Sequence, residues 1–267
     1  MTVLESILLG LIQGITEFLP VSSSGHLTLF GRIFEIDEAS MMSLTTLLHM
    51  GTLLAVFVVM RKEIMAILRD LFGPKTWHLV IATIPAVIAA LLLGDFLDTL
   101  FGGAYLGISF ILTGIILLAS LLASTKKPGR NQITARDALT AGIGQAVAIL
   151  PGVSRSGTTL TTLLLSGVER TTAIRFAFLM SIPAILGGFV LDLKDLLGGG
   201  GGSAITSLGA FPIVAGVIAA AIAGWLVMEL MLKKLSRRGM LICAVYVIAL
   251  GFLVLVDQNM THVITWN

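Results

Sequence analysis

Two stretches decide the fold. The first, GLIQGITEFLPVSSSGH, runs from Gly10 to His26, and the second, GIGQAVAILPGVSRSGT, runs from Gly142 to Thr158. Laid over each other, Gly10 matches Gly142, Gln13 matches Gln145, and the V-S-x-S-G runs from Val21 and Val153 coincide. Pro20 and Pro151 fall one residue out of step. Each motif sits in a longer apolar segment, Ser6–Gly31 and Ala138–Val168, broken in the middle by Pro, Gly and hydroxyls. Each break carries a charge, Glu17 in the first and Arg155 in the second.

Composition sets the solvent around these breaks. Of 267 residues, 56% are hydrophobic and 12% charged, and the mean hydropathy is +1.01. A soluble domain carries roughly a quarter charged residues, so too few charges remain to cover a particle in water. Disorder, collagen and a disulfide scaffold are excluded; the single Cys243 lies in an apolar run and has no partner in the chain. A net charge of +2 gives no case for nucleic acid. Glu5 stands where a signal peptide would carry Lys or Arg, and no small-residue cleavage site follows, so the N-terminus is not read as a removed leader.

Met41–Met60, Trp77–Gly94, Ala104–Ser124, Ala204–Met228 and Gly239–Val256 are long uncharged apolar stretches; Phe176–Leu191 is shorter and reaches a similar length if Arg175 lies at the interface. Each approaches the ~20 residues that cross a bilayer core, which predicts six transmembrane helices. The connecting loops sort by sign. Arg61, Lys62, Arg69 and Lys75 share one, Lys126, Lys127, Arg130 and Arg136 another, and Lys233, Lys234, Arg237 and Arg238 a third. The alternate loops hold Asp95 with Asp98, then Asp192, Lys194 and Asp195; Glu35, Asp37 and Glu38 precede the first span. The positive-inside rule makes the basic loops cytoplasmic, so both termini are expected on the outer side. Trp77, Tyr105 and Trp266 near span ends suit an aromatic belt.

Non-helical backbone at membrane depth survives only where protein or a water-filled cavity satisfies it. The broken segments are therefore either kinked spans or re-entrant helix–loop–helix hairpins, and span parity favours hairpins. The expected fold is an all-α polytopic membrane protein, 1–267, with six spans and two re-entrant hairpins. Its halves, about 1–125 and 133–260, would each hold one hairpin and three spans, inverted relative to each other, with a site where the broken elements meet. The run Gly198–Gly202 is read as a flexible outer loop, because no Lys-Ser/Thr signature follows it. Gly10-x-x-x-Gly14 and Gly103-x-x-x-Gly107 fit close helix contacts.

Ionisable residues inside a membrane are costly and are usually functional or paired. Glu17 and Arg155 occupy corresponding breaks and could meet across the pseudo-twofold, as a structural ion pair or as part of a site. Gln13 and Glu17, four residues apart, offer two oxygen ligands on one helical face. A carboxylate with an amide oxygen suits a hard divalent cation such as Mg²⁺ or Ca²⁺. Ser22, Ser23, Ser24 and His26 follow. Gly152, Ser154, Arg155, Ser156, Gly157, Thr158 and Thr159 form a second cluster in which glycines allow close approach, hydroxyls donate and a guanidinium grips phosphate. Together they describe phosphoryl chemistry on a substrate that arrives from lipid. His49, His78 and His262 read as interface or core histidines.

At these motifs the chain resembles the undecaprenyl-diphosphate phosphatases of the bacitracin-resistance (BacA) type. That pattern is Glu/Gln-x-x-x-Glu, Pro-Val-Ser-Ser-Ser/Thr-Gly-His and Pro-Gly-x-Ser-Arg-Ser-Gly-x-Thr; here it reads Gln13 to Glu17, Pro20 to His26 and Pro151 to Thr159. The resemblance spans essentially the whole chain. It implies a bacterial inner-membrane enzyme that hydrolyses undecaprenyl diphosphate to the monophosphate for cell-wall synthesis, with a site open to the periplasm, divalent-cation dependence and bacitracin resistance on overexpression. It places Glu17, Ser23, His26, Ser154, Arg155 and Thr159 on functional positions, and Gln13 where some members carry Glu. Glu17, Ser23, His26 and Arg155 are thus the catalytic candidates. Ser22, Ser24, Gly152, Ser154, Ser156, Thr158 and Thr159 are the substrate-binding ones, with Glu17 and Gln13 toward a metal. Either Ser23 attacks with His26 as base, the favoured reading, or His26 attacks itself. The expected partners are a polyprenyl diphosphate and membrane lipid, with a homodimer open. A polyprenyl-phosphate flippase on the same plan is the competing function.

Overall fold

The structure is a computed structural model that describes residues 1–98, 103–123, 129–197, 208–264 and 266. It is all-helical: among the described residues no strand forms, and one isolated bridge joins Arg130 to Val168. Two short helices open the chain, α1 (Val3–Phe18) and α2 (Ser23–Ile33). Then come α3 (Glu38–Val59), the short α4 (Arg61–Arg69), α5 (Pro74–Asp98) and α6 (Leu106–Ser120). The order repeats without the short helix in α7 (Ala135–Val147), α8 (Arg155–Leu165), α9 (Arg170–Leu197), α10 (Ala210–Lys234) and α11 (Arg237–Val256). The glycine run at 198–202 lies outside the described residues.

α3, α5, α9, α10 and α11 are long and apolar enough to cross a membrane. α6 has 15 residues, about 22 Å of helix, less than the sequence stretch Ala104–Ser124 suggests. Its start is set by Gly103, whose φ of +85° breaks the helical path. The surface is apolar, with Phe72, Leu91, Leu92, Leu122 and Phe211 more than half exposed. Gln13, Glu17, Thr52 and Gln145 are buried. An apolar exterior with the polar groups turned inward is the arrangement lipid requires, and the chain is an all-helical multi-pass membrane protein.

Charge divides the molecule end to end. α4 carries Arg61, Lys62 and Arg69, and its first turn is tied to α9 through an Arg175–Glu63 ion pair. Arg237, at the start of α11, donates to the Leu121 carbonyl at the end of α6, and Lys233 pairs with Glu229 on α10. At this end too, Arg130 grips Asp137 with both nitrogens, at 2.9 and 2.8 Å, and exchanges backbone hydrogen bonds with Gly167 and Glu169. Burial alone would raise the Asp137 pKa; the Arg130 and Thr134 bonds outweigh it and hold the carboxyl at about 2. The opposite end holds Asp37, Glu38 and Asp257, with Arg32 paired to Glu38 at 2.8 Å.

The helices interlock across the halves. α1 packs chiefly on α10, α7 on α5, α6 on α11 and α3 on α10, with a smaller contact between α3 and α9. Matched glycines make the first two contacts. Gly10 abuts the Gly216 backbone of α10, and a Cβ at Gly14 would stand 2.5 Å from the Ala220 oxygen. Gly142 meets α5 likewise, with 2.5 Å from its Cβ position to the Ala82 oxygen. The Gly10/Gly14 pair is thus a close helix contact, as its spacing suggests. Gly107 makes one against Gly251 of α11, whereas Gly103 lies in the preceding turn beside Trp266.

Candidate active site

Both motifs break their helices, and both restart them with the same cap. Pro20 disfavours helical backbone at the residue before it, and Leu19 is extended with ψ of 143°. The chain turns and begins α2 at Ser22, whose φ of +70° is rare for a residue with a Cβ. The Ser22 hydroxyl accepts from the Gly25 N–H at 3.3 Å and fixes the turn. In the second break Gly152 has φ of +83°, and a Cβ there would stand 2.7 Å from Ser109 Cβ on α6. Ser154 then caps α8, accepting from the Gly157 N–H at 3.1 Å, while its own N–H donates to Thr113 of α6 at 3.0 Å. The breaks touch directly, since the Ser156 hydroxyl donates to the Leu19 carbonyl at 3.0 Å.

Glu17, one residue before the end of α1, is 5% exposed and is the hub. Its Oε1 receives Nη2 of Arg155 from the other half of the chain. Its Oε2 accepts the Ser23 hydroxyl at 2.5 Å and the Gln13 amide at 3.1 Å, and His49 Nε2 of α3 stands 3.5 Å from it. Gln13 Nε2 also reaches Thr52 Oγ1 at 3.4 Å. Two atoms around this hub are buried with no hydrogen-bond partner, Arg155 Nη1 and Gln13 Oε1. Buried polar groups are ordinarily paired, so both are available to something that enters.

Arg155 borders a cavity of ≈ 240 Å³. Glu17, Ser22, Ser23 and Ser24 form one wall and Ser154, Arg155 and Ser156 the facing one. α3 adds Thr45, Thr46 and His49, and α9 adds an apolar side with Ile185 and Phe189. The pocket is therefore polar where the two breaks meet and apolar where α9 borders it. Along both α3 and α9 the lining residues belong to the half nearer the acidic end of the molecule.

Most of the residues singled out from the sequence converge here. Gln13, His26, Gly152, Thr158 and Thr159 do not line the cavity. The Thr158 and Thr159 hydroxyls donate to the carbonyls of Ser154 and Arg155 at 2.6 and 2.9 Å, and so shape the start of α8. His26 is not brought to the Ser23 hydroxyl. A carbonyl can only accept, so His26 Nδ1 donates to Ser22 O at 2.7 Å, which leaves Nε2 to accept from the Tyr246 hydroxyl at 2.8 Å. The ring stacks on Tyr246 at 5.7 Å and stands edge-on to Phe110 at 5.2 Å.

His49 is the residue that sequence reasoning passed over: expected at an interface or in the core, it lies in the cavity wall. Its signal was present. Thr45, Thr46, His49 and Thr52 make a polar stripe at helical spacing along an otherwise apolar span. Gln145, the counterpart of Gln13, is buried with both amide atoms unpartnered.

The model of the bacitracin resistance protein BacA family matches residues 6–253. The chain is 40% identical to the undecaprenyl-diphosphatase of Carboxydothermus hydrogenoformans over 258 residues, 95% of this chain and 97% of that one. It is 39% identical to undecaprenyl-diphosphatase 4 of Bacillus cereus over 259 residues, 96% of this chain and 97% of the relative. With the corresponding protein of Methanobrevibacter smithii it shares 33% over 284 residues, 98% and 99% of the two chains. Paired Pro-Ser breaks, a carboxylate and an arginine that meet across them, and a match over nearly the full length lead to one assignment: the chain belongs to the bacitracin resistance protein BacA family.

Proposed function

We propose that this protein hydrolyses undecaprenyl diphosphate to undecaprenyl phosphate and inorganic phosphate, returning the lipid carrier to cell-wall synthesis. The relatives' name, undecaprenyl-diphosphatase, supports the substrate. The observation that carries the chemistry is Arg155. One guanidinium nitrogen is committed to Glu17, and the other is buried, unpaired and at the cavity. A diphosphate brings at least two negative charges, and a guanidinium binds phosphate oxygens while remaining charged.

In this reading Arg155 Nη1 and the Ser154 and Ser156 hydroxyls hold the terminal phosphate. Ser23 Oγ, already donating to Glu17 Oε2, attacks its phosphorus. The proton passes to Glu17, the bond from phosphorus to the bridging oxygen breaks, and the lipid monophosphate leaves with that electron pair. Glu17 gives that proton to the departing lipid phosphate; water then attacks the phosphoseryl phosphorus and passes its proton to Glu17, the phosphorus–Oγ bond breaks, and Ser23 Oγ takes the proton back from Glu17 as inorganic phosphate departs. His26 acts from behind, because its Nδ1–H holds the Ser22 carbonyl at the turn that aims Ser23.

The residues also fit a divalent cation, Mg²⁺ or Ca²⁺. Gln13 Oε1 is buried without a partner, and a half-turn of the amide exchanges Nε2 for that oxygen beside Glu17. A bound cation would supply charge neutralisation to the diphosphate. Among the described residues no group of three or more His, Cys, Asp and Glu gathers, so water and substrate oxygens would complete its coordination.

The same proposal extends to architecture and placement: six spans, α3, α5, α6, α9, α10 and α11, and two re-entrant hairpins, α1–α2 and α7–α8, in an inverted repeat. The crossed packing of α1 on α10 and α7 on α5 supports it, as a twofold in the membrane plane would exchange these pairs. The basic end faces the cytoplasm of the inner membrane, and both termini and the cavity face the periplasm. A flippase would need phosphate donors but no hydroxyl held by a carboxylate. Phosphate release from a C55 diphosphate by purified protein, with and without EDTA, tests the reading. No release under either condition rejects it.

A further inference from the structure

His49 has no part in the chemistry above, yet it stands in the wall of the cavity with its ring set by a specific bond. His49 Nδ1 lies 2.8 Å from the Thr45 carbonyl oxygen. A carbonyl cannot donate, so Nδ1 carries the proton of that bond. In the neutral ring Nε2 is then a bare lone pair, and it faces Glu17 Oε2 at 3.5 Å. Two Lewis bases turned toward each other repel unless an electrophile lies between them.

The separation bears on which electrophile. A direct N–H···carboxylate bond between charged groups runs about 2.7–2.9 Å, well inside the 3.5 Å seen here. Two donor atoms each about 2.1–2.4 Å from one divalent ion, at angles of about 90–100°, stand about 3.0–3.7 Å apart. The pair is thus spaced for a shared ion. The far side of the ring agrees, because a metal-ligating histidine almost always donates its other N–H to a carbonyl or carboxylate, which fixes the tautomer that leaves the ligating nitrogen bare. Gln13 Oε1, buried and unpartnered on the helix that carries Glu17, is a third oxygen within the same cluster.

We infer that His49 Nε2 is a ligand of the divalent cation at this site, beside Glu17 Oε2. The inference rests on the metal-dependent reading above and assigns to α3, a span outside both broken motifs, a direct share in the cation. One nitrogen donor among oxygens tilts the preference from Ca²⁺ toward first-row transition ions, of which Mn²⁺ suits a mostly oxygen set and carries unpaired spins.

The test is pulsed electron paramagnetic resonance on tag-free, full-length protein in detergent, loaded with Mn²⁺ and methylenediphosphonate, a diphosphate analogue that resists hydrolysis. Wild type should show the electron-spin-echo modulation of a directly bound ¹⁴N. Labelling with ¹⁵N-histidine should replace that pattern by the ¹⁵N one, with no mutation involved. His49→Gln should abolish the nitrogen modulation and weaken Mn²⁺ binding on the order of tenfold or more, while His26→Gln should retain it. Absence of bound Mn²⁺ in the wild type, absence of a nitrogen signal, or a signal that survives His49→Gln overturns the assignment. Nitrogen coupling in a protein that releases no phosphate from a C55 diphosphate would instead uphold the ligand and reject the phosphatase reading.

Discussion

Ser23 donates its hydroxyl to Glu17 over 2.5 Å, although a proline turn and a new helix separate them in the chain. The contact exists because α1 stops at Phe18 and α2 starts at Ser23, so the two helix ends confront each other. A continuous helix would turn residues six apart about 120° away from each other. Breaking the helix thus sets a hydroxyl on a carboxylate.

That geometry predicts an order among the three serines. Ser23→Ala should reduce kcat on the order of 10³-fold or more, with the protein still monodisperse. Ser24→Ala should cost much less. Ser22→Ala removes a helix cap and should lower thermal stability by about 1 kcal/mol. Steady-state phosphate release and melting curves on the three purified variants check this; a near-normal rate in Ser23→Ala assigns the attack elsewhere, and acid-labile ³²P trapped on His26 would name the place.

In the proposed mechanism Glu17 is both the proton acceptor and the carboxylate that would hold the cation. Glu17→Gln keeps the shape, loses both roles and leaves Arg155 without its counter-charge, so activity should vanish. Gln13→Glu, by contrast, should retain turnover and tighten cation binding, since a carboxylate is the stronger ligand. Titration of activity against free Mg²⁺ and Ca²⁺ in the two variants measures this. Undiminished turnover of Glu17→Gln in EDTA would contradict both roles.

Single cysteines in a Cys243→Ala background test the placement. Asp37→Cys should react with an impermeant maleimide added from the periplasm and Arg237→Cys should not, because Asp37 and Arg237 lie at opposite ends of the molecule. Reversed labelling would invert the orientation.

Much of the fold was legible because lipid enforces simple rules. Spans read as uncharged apolar lengths, ends as clusters of Lys and Arg, and the Glu17–Arg155 meeting as the cheapest way to bury two charges in matched breaks. The partner of Ser23 was not legible. His26, three residues on, and Glu17, six residues back, are both near in sequence, and only the turn at Ser22, with its φ of +70°, aims the hydroxyl at the carboxylate. Tyr246, which takes His26 Nε2, lies in α11, the last span, and no local spacing announces it. His49 was hidden for another reason: a lone histidine in an apolar span is more often structural, and its meaning rests on Glu17, which the fold brings to α3.

Away from the cavity, the Arg130–Asp137 pair predicts a pH dependence of stability. The folded pKa of Asp137, about 2, lies below the ordinary carboxylate value of about 3.9. The carboxylate therefore adds stability that is present above pH ~4 and is lost as the pH falls toward 2. Its size is at most about 2.5 kcal/mol, reduced by the exposure of Arg130. Asp137→Asn should lower the melting temperature at pH 7 and narrow its gap to wild type near pH 3. An equal gap at both pH values would show that the hydrogen bonds, not the charge, carry the effect.

The sharpest prediction concerns Arg155, the one Lys or Arg in either break. Its fork is split, with Nη2 on Glu17 and Nη1 buried without a partner. Lysine keeps the charge but has one ammonium for both tasks, so it can hold Glu17 or the phosphate but cannot bridge them in the same plane. Arg155→Lys should therefore lose kcat/KM on the order of 10²-fold, the equivalent of about 3 kcal/mol of transition-state contact. Arg155→Ala should lose more, because Glu17 then stays buried without its counter-charge as well. Steady-state hydrolysis of a short-chain polyprenyl diphosphate by monodisperse variants measures both. If Arg155→Lys matched wild type, a point charge would suffice and the split fork would have no catalytic meaning. If Arg155→Ala did, the residue would leave the mechanism altogether.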